Sequence, residues 1–152
     1  MSEIKRISDQ LKRAFEGTAW HGPSVMEVLA DVTAEQAAAH PIPSAHSIWE
    51  LVLHIQTWER IARRRVEEWL PIEVPDEEDW SPVGETTEHA WKNALNRLRL
   101  NHETLREVVA RLDESRLSEI VPGTQYSVYF LLHGVIQHDL YHAGQIALLK
   151  KT

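Results

Sequence analysis

The sequence predicts an all-α fold: a single domain over residues 1–152, built as a bundle of four long helices. Three observations predict it. Four long stretches carry apolar residues at three- and four-residue steps, the spacing that lines one face of a helix. No stretch alternates apolar and polar residues as a half-buried strand does. The 152 residues, 43% hydrophobic and 26% charged, have the make-up of one soluble globular domain. That length buries roughly two-thirds of the surface the unfolded chain exposes.

The elements follow in order. From about Glu3 to Ala19, Ile4, Ile7, Leu11, Ala14 and Phe15 form the first stripe, with Gly17 and His21-Gly22-Pro23 expected to kink or stop it. A shorter helical piece is expected at Ser24 to Leu29. Thr33-Ala34-Glu35-Gln36 has the form of a capping box and opens another short turn. After Pro41-Ile42-Pro43 the second long helix runs to about Leu70, with Ser47 or Ser44 as N-cap. Its stripe is Ile48, Leu51, Val52, Ile55, Trp58, Ala62, Val66 and Trp69. Residues 71–85, with three prolines, a glycine and an acidic run, read as a surface loop. Thr86 or Thr87 caps the third long helix, whose stripe is Trp91, Leu95, Leu98, Leu105, Val108 and Leu112. After a turn at Pro122-Gly123, Ser127 opens the fourth, which extends to Lys150 with Val128, Leu131, Leu132, Val135, Ile146 and Leu149 inward. Four amphipathic helices without strands make a helix bundle.

Composition excludes several classes. Without cysteine there are no disulfides, thiolate ligands, Fe–S clusters or protein thiol nucleophiles, a usage that fits a cytoplasmic location. The first 17 residues alternate charge with isolated apolar residues, unlike a signal peptide, and no run approaches a membrane span. A formal charge of −7 argues against nucleic acid as partner. The one basic cluster, Arg60 to Arg65, is interrupted by Ile61 and Ala62 and reads as a solvated helix face.

Nine histidines and six tryptophans are many for this length, and helix direction sorts them. On a wheel with Val135 at zero, Leu131, Leu149, His138 and His142 fall within about 60°, whereas His133 lies roughly 160° away. His138 and His142 are one turn apart and able to grip one ion. Two hydrogen-bonded core imidazoles would explain that pair alone. A third histidine, His54, at the edge of the second helix's stripe, shifts the balance toward a metal. Three clustered imidazoles are costly to bury unless every ring nitrogen finds a partner. Three imidazole ligands suit Zn²⁺, Ni²⁺, Cu²⁺ or Fe²⁺ and leave a coordination position open. His102 also lies inward, within about 40° of Leu98, and reads first as a hydrogen-bonded core histidine, with a pocket or ligand role as the alternative. His21, His40, His46 and His89 sit near breaks or helix starts, where surface and capping roles prevail.

The blocks Ser47-Ile-Trp-Glu-Leu-Val-Leu-His54-Ile-Gln-Thr-Trp-Glu59 and Gln137-His138-Asp-Leu-Tyr-His142-Ala-Gly-Gln145-Ile resemble the DinB/YfiT-like superfamily of metal-binding bundles. Trp20-His-Gly-Pro23 and the acidic loop carrying Trp80 resemble it too, so the likeness covers nearly the whole chain. It implies an up-down-down-up four-helix bundle, often a homodimer, with ligands at His54, His138 and His142. The ion it implies is zinc or nickel first, iron or manganese next. It implies no nucleic-acid activity and no membrane association. Some members of such a family are S-transferases that use low-molecular-weight thiols such as bacillithiol, or mycothiol-dependent isomerases, and many others have no assigned reaction.

An open three-histidine site can generate a nucleophile from water or a small thiol near neutral pH, which allows transfer to a small electrophile or hydrolysis. The alternative is a bundle whose metal serves stability or ligand binding in a stress response, without turnover. Gln145, one turn beyond His142, and Asp139, on the flank of the inward stripe, are candidates to orient the ligand imidazoles. Surface or capping roles stay open for both, and for Glu50. Trp20, Trp58 and Trp80 are candidates for the pocket mouth, with plain core packing as the alternative.

Overall fold

Six of the helix starts carry a serine or threonine, and this punctuation sets the architecture. In the computed structural model, which describes residues 1–152, Ser2, Ser24, Thr33, Ser47, Thr87 and Ser127 stand at N-cap positions. They open α1 (Glu3–Phe15), α2 (Val25–Leu29), α3 (Ala34–Ala38), α4 (Ile48–Glu67), α6 (Glu88–Ala110) and α7 (Val128–Leu149). The one-turn helix α5 (Asp76–Asp79) follows Pro75 instead. At α4 the box is reciprocal: the Glu50 N–H donates to Ser47 Oγ at 3.1 Å, and the Ser47 N–H donates to Glu50 Oε2 at 2.7 Å. The chain is all-helical, with isolated bridges and no strands. No helix is long and apolar enough to cross a membrane.

Three boundaries differ from the sequence expectation. α1 ends at Phe15, four residues before Ala19, because the chain leaves the helix at Glu16 ahead of Gly17. α4 ends at Glu67, and Trp69, with φ of 53°, is turned out of the helix and covered by the Arg116 guanidinium at 4.2 Å. Residues 71–85 are not simply a surface loop. They contain α5, held onto α4 by Arg60, which donates to Glu78 at 2.6 Å. A 3₁₀ turn, Glu114–Ser118, was not anticipated by periodicity. Gly123 takes φ of 77° where a Cβ would stand 2.9 Å from Pro71 Cβ, so the turn into α7 requires glycine.

The long helices pack as a ring in which α4 and α1 each touch both α6 and α7. Between α4 and α6, Trp49 meets Trp91, the Asn101 amide donates to the Gln56 carbonyl, and Glu59 meets His102. Between α4 and α7, His54 meets His138 and His142 while Arg65 meets Tyr126. Phe15 on α1 stacks on His102 at 3.8 Å. The apolar core falls into two clusters. One gathers around Leu29, Ile55, Trp91, Leu98 and Ile146, the other around Ile7, Leu11, Leu105, Val109 and Leu132. Burying each such side chain stabilises the fold by about 1.5–3 kcal/mol before chain entropy is subtracted. The indole N–H of buried Trp91 donates to the Val32 carbonyl at 2.8 Å, which ties the segment after α2 to α6.

Candidate metal centre

α4 and α7 are capped helices packed against each other, so residues on their facing sides are held to fixed positions. His54 projects from α4, and His138 and His142 from successive turns of α7. The side chains converge. His54 Nε2 lies 3.0 Å from His138 Nε2, which lies 3.1 Å from His142 Nε2. Each offers one ligand atom within 4.8 Å of the others. His54 is 7% exposed and His142 5%, with His138 between buried and exposed. His133 points away, toward Glu3 and Tyr129.

The outer ring nitrogens set the tautomers. His54 Nδ1 lies 2.8 Å from the backbone carbonyl oxygen of Asp79, which can only accept, so Nδ1 carries the proton. His142 Nδ1 donates to Gln145 Oε1 at 2.6 Å. Both rings therefore present bare Nε2 lone pairs to the centre. His138 Nε2 can donate a hydrogen to one of them and not to both, so lone pairs face one another unless a cation lies among them. A tetrahedral ion with Zn–N bonds of about 2.0–2.1 Å would hold its ligand nitrogens about 3.3 Å apart, close to the observed spacing. The donor set fits a divalent metal, and orienting each imidazole through its far N–H is how such sites are tuned. Burial lowers the pKa of all three histidines, and for His138, where His142 and His54 add to the effect, down to about 3. All three are thus neutral at physiological pH, as metal ligation demands.

The segment read as a loop supplies the cover. Trp58 Nε1 donates to Asp79 Oδ1 at 2.7 Å, which fixes α5 over the site and places the Asp79 carbonyl on His54. The Trp80 ring lies flat on His54 at 3.8 Å and is stacked on its other face by His46 at 3.5 Å. Sequence reasoning missed Asp79 as an orienting group and His46 as part of the cover. A carbonyl ligand leaves no side-chain signature, and a loop residue carries no helical phase to read.

Gln145 stands where its spacing suggested. Asp139 does not. Its carboxyl is fully buried in the core, its two oxygens lack hydrogen-bond partners, and its neighbours are Glu59 and His102 rather than the three clustered imidazoles. Glu59 Oε1 and His102 Nδ1 share a hydrogen bond of 2.6 Å. His102 is therefore a hydrogen-bonded core histidine. Glu50 serves the α4 cap and meets His40 at 3.1 Å. Trp58 and Trp80 border the three histidines, whereas Trp20 is fully exposed beside α1.

No curated protein and no solved structure matches the chain significantly. The model of one family, described as the DinB superfamily, matches residues 19–146, a span that takes in α4, α5 and most of α7 and so all three histidines and their cover. The chain belongs to the DinB superfamily.

Proposed function

We propose that the chain binds one divalent metal ion, zinc or nickel, through His54, His138 and His142, and uses the remaining coordination position on a small-molecule substrate. The observation that carries the reading is the tautomer lock: Asp79 and Gln145 hold Nδ1–H on two rings and aim bare Nε2 atoms at a shared centre. A divalent ion there supplies Lewis-acid chemistry, which lowers the pKa of water or a small thiol toward neutrality. The chain's own residues orient the imidazoles and exclude water with the Trp80 ring. The reaction proposed is transfer of a low-molecular-weight thiol, supplied as co-substrate since the chain has no cysteine, to a small electrophile. The thiol gives its proton to solvent, its sulfur bonds to carbon, and the carbon's bond to a halide or epoxide oxygen breaks with that group leaving as the anion. The helix pairings support an up-down-down-up order. Positions 49, 56 and 59 of α4 meet 91, 101 and 102 of α6 in the same sense, while 54 and 65 meet 138 of α7 and 126 just before its start in the opposite sense. Tyr141 and Leu148, exposed seven residues apart on α7, support a homodimer.

Elemental analysis of protein purified without added metal tests the site. Wild type and His133→Ala should carry one ion per chain, and His54→Ala, His138→Ala and His142→Ala should carry none. Wild type without stoichiometric metal, or any of those three retaining it, overturns the proposal. Transfer is tested with bacillithiol, mycothiol and glutathione against a panel of electrophiles, and metal-loaded protein inert to all of them overturns the transferase reading. The low exposure of His54 and His142 favours a second reading, a metal that stabilises the bundle without turnover.

A further inference from the structure

Beside His138 an open cavity of about 190 Å³ lies between Trp58 of α4 and the first half of α7. Trp58, Tyr126, Phe130, Gly134, Val135 and His138 line it, with Phe130 64% exposed at its mouth. The polar tips of its aromatic walls are engaged elsewhere. The Trp58 indole N–H is held by Asp79 at 2.7 Å, and the Tyr126 hydroxyl accepts from Arg65 Nη1 at 2.6 Å. Arg65 in turn donates to the Ile72 carbonyl at 2.9 Å. The Trp58 and Tyr126 rings therefore present carbon faces to the cavity and are held in place before any ligand arrives. Gly134 is mid-helix, a position where glycine is disfavoured, and a Cβ built there meets no atom within 4 Å. Its missing side chain is space in the cavity.

Resting on the metal reading above, we propose that this cavity is the specificity subsite. It takes an apolar group the size of a single aromatic ring, carried by a molecule whose polar end reaches the metal past His138. Apolar cavities of roughly 150 Å³ are large enough for benzene, so a single ring fits the space. Gly134 is the lining position at which an added side chain would take up that space.

Two hydroxamic acids, whose heads chelate zinc, separate the contributions of head and ring. Zinc-loaded wild type should bind phenylacetohydroxamic acid more tightly than acetohydroxamic acid, by about tenfold if the ring loses roughly 55 Å² of apolar surface to water in the open cavity. Gly134→Leu places a better helix former at an open position and should keep its zinc and its acetohydroxamate affinity while losing the gain from the ring. Gly134→Ala should fall between. Calorimetry reads the affinities and elemental analysis the zinc. Acetohydroxamate binding with no gain from the ring, or a gain that survives Gly134→Leu, overturns the subsite and leaves the open metal position standing. Failure of the loaded protein to bind either compound overturns both. Sedimentation that finds wild type self-associated through this face, with association broken by Gly134→Leu and no gain from the ring, makes the occupant a second copy and also overturns the proposal.

Discussion

Gln145→Ala isolates the orienting role of one side chain. The His142 ring is 5% exposed, and its Nδ1–H has one acceptor, Gln145 Oε1 at 2.6 Å. With the metal bound, His142 must keep its proton on Nδ1. Without metal the ring is free to move the proton to Nε2 or to turn. Loss of the acceptor therefore falls chiefly on the bound state. An unsatisfied buried donor costs about 1–3 kcal/mol. Because Gln145 is only half-buried, water reaches part of the gap it leaves, and the cost belongs near the lower end, about 1.4 kcal/mol or tenfold in affinity. Gln145→Glu keeps an acceptor and adds charge, so it should bind at least as tightly as wild type. The assay is competition for zinc against a colorimetric chelator at neutral pH, with thermal unfolding of the metal-free proteins as the control for folding. Gln145→Ala affinity equal to wild type, with folding intact, refutes the tautomer argument on which the metal centre rests.

Leu132→Ala, which empties a fully buried position in the cluster away from the histidines, should cost roughly 2–5 kcal/mol in denaturant unfolding and leave zinc stoichiometry unchanged. Burial pushes the Glu59 carboxyl up from 4.5 to about 8, so the folded chain holds a proton there that the unfolded chain releases. The stability linked to that proton is complete below pH 4.5 and is lost as pH rises through 8, by up to a few kcal/mol. Glu59→Gln should therefore gain Tm relative to wild type between pH 5 and 9, and a constant difference across that range contradicts the assignment. Trp80→Ala strips the ring from His54 and should speed zinc release to a chelator in stopped flow. An unchanged rate would mean that Trp80 does not cover the site.

How much of this was legible in the sequence depends on whether a residue sits in a periodic element. The helices were readable because apolar spacing and capping chemistry agree: Ser47 three residues before Glu50, Thr33 before Gln36. His138, His142 and Gln145 were readable because one helix carries all three, and a wheel fixes their relative direction. His54 was harder, since its place at a stripe's edge does not say which neighbour it faces. Asp139 was misread because its flank position meets either the metal side or the core, and only the packing of α6 against α4 decides. α5 was invisible: four acidic residues between prolines carry no apolar phase, and what folds them back are the partners Arg60 and Trp58, some twenty residues away.

The two apolar clusters change over at one level on three helices. On α4, Thr57 and Glu59 stand between Ile55 and Ala62; on α6, His102 stands between Leu98 and Leu105; on α7, Asp139 and His142 stand between Ile136 and Ala143. A polar layer thus crosses the core beside the metal centre, and Asp139 directly follows the ligand His138. Such a layer is a poor source of stability, since apolar residues of similar volume in place of buried ionisable groups are often neutral or stabilising by about 1–4 kcal/mol. Its use lies in register. A leucine layer tolerates small sliding of one helix along another, whereas the 2.6 Å Glu59–His102 bond does not, and His54 must meet His138 across α4 and α7 to within a few tenths of an ångström. The hypothesis has a two-sided signature. The triple replacement of Glu59, His102 and Asp139 by leucine should unfold at a denaturant concentration equal to or above that of wild type, yet bind zinc more weakly. Wild-type zinc affinity in that variant would show that the layer plays no part in aligning the ligands.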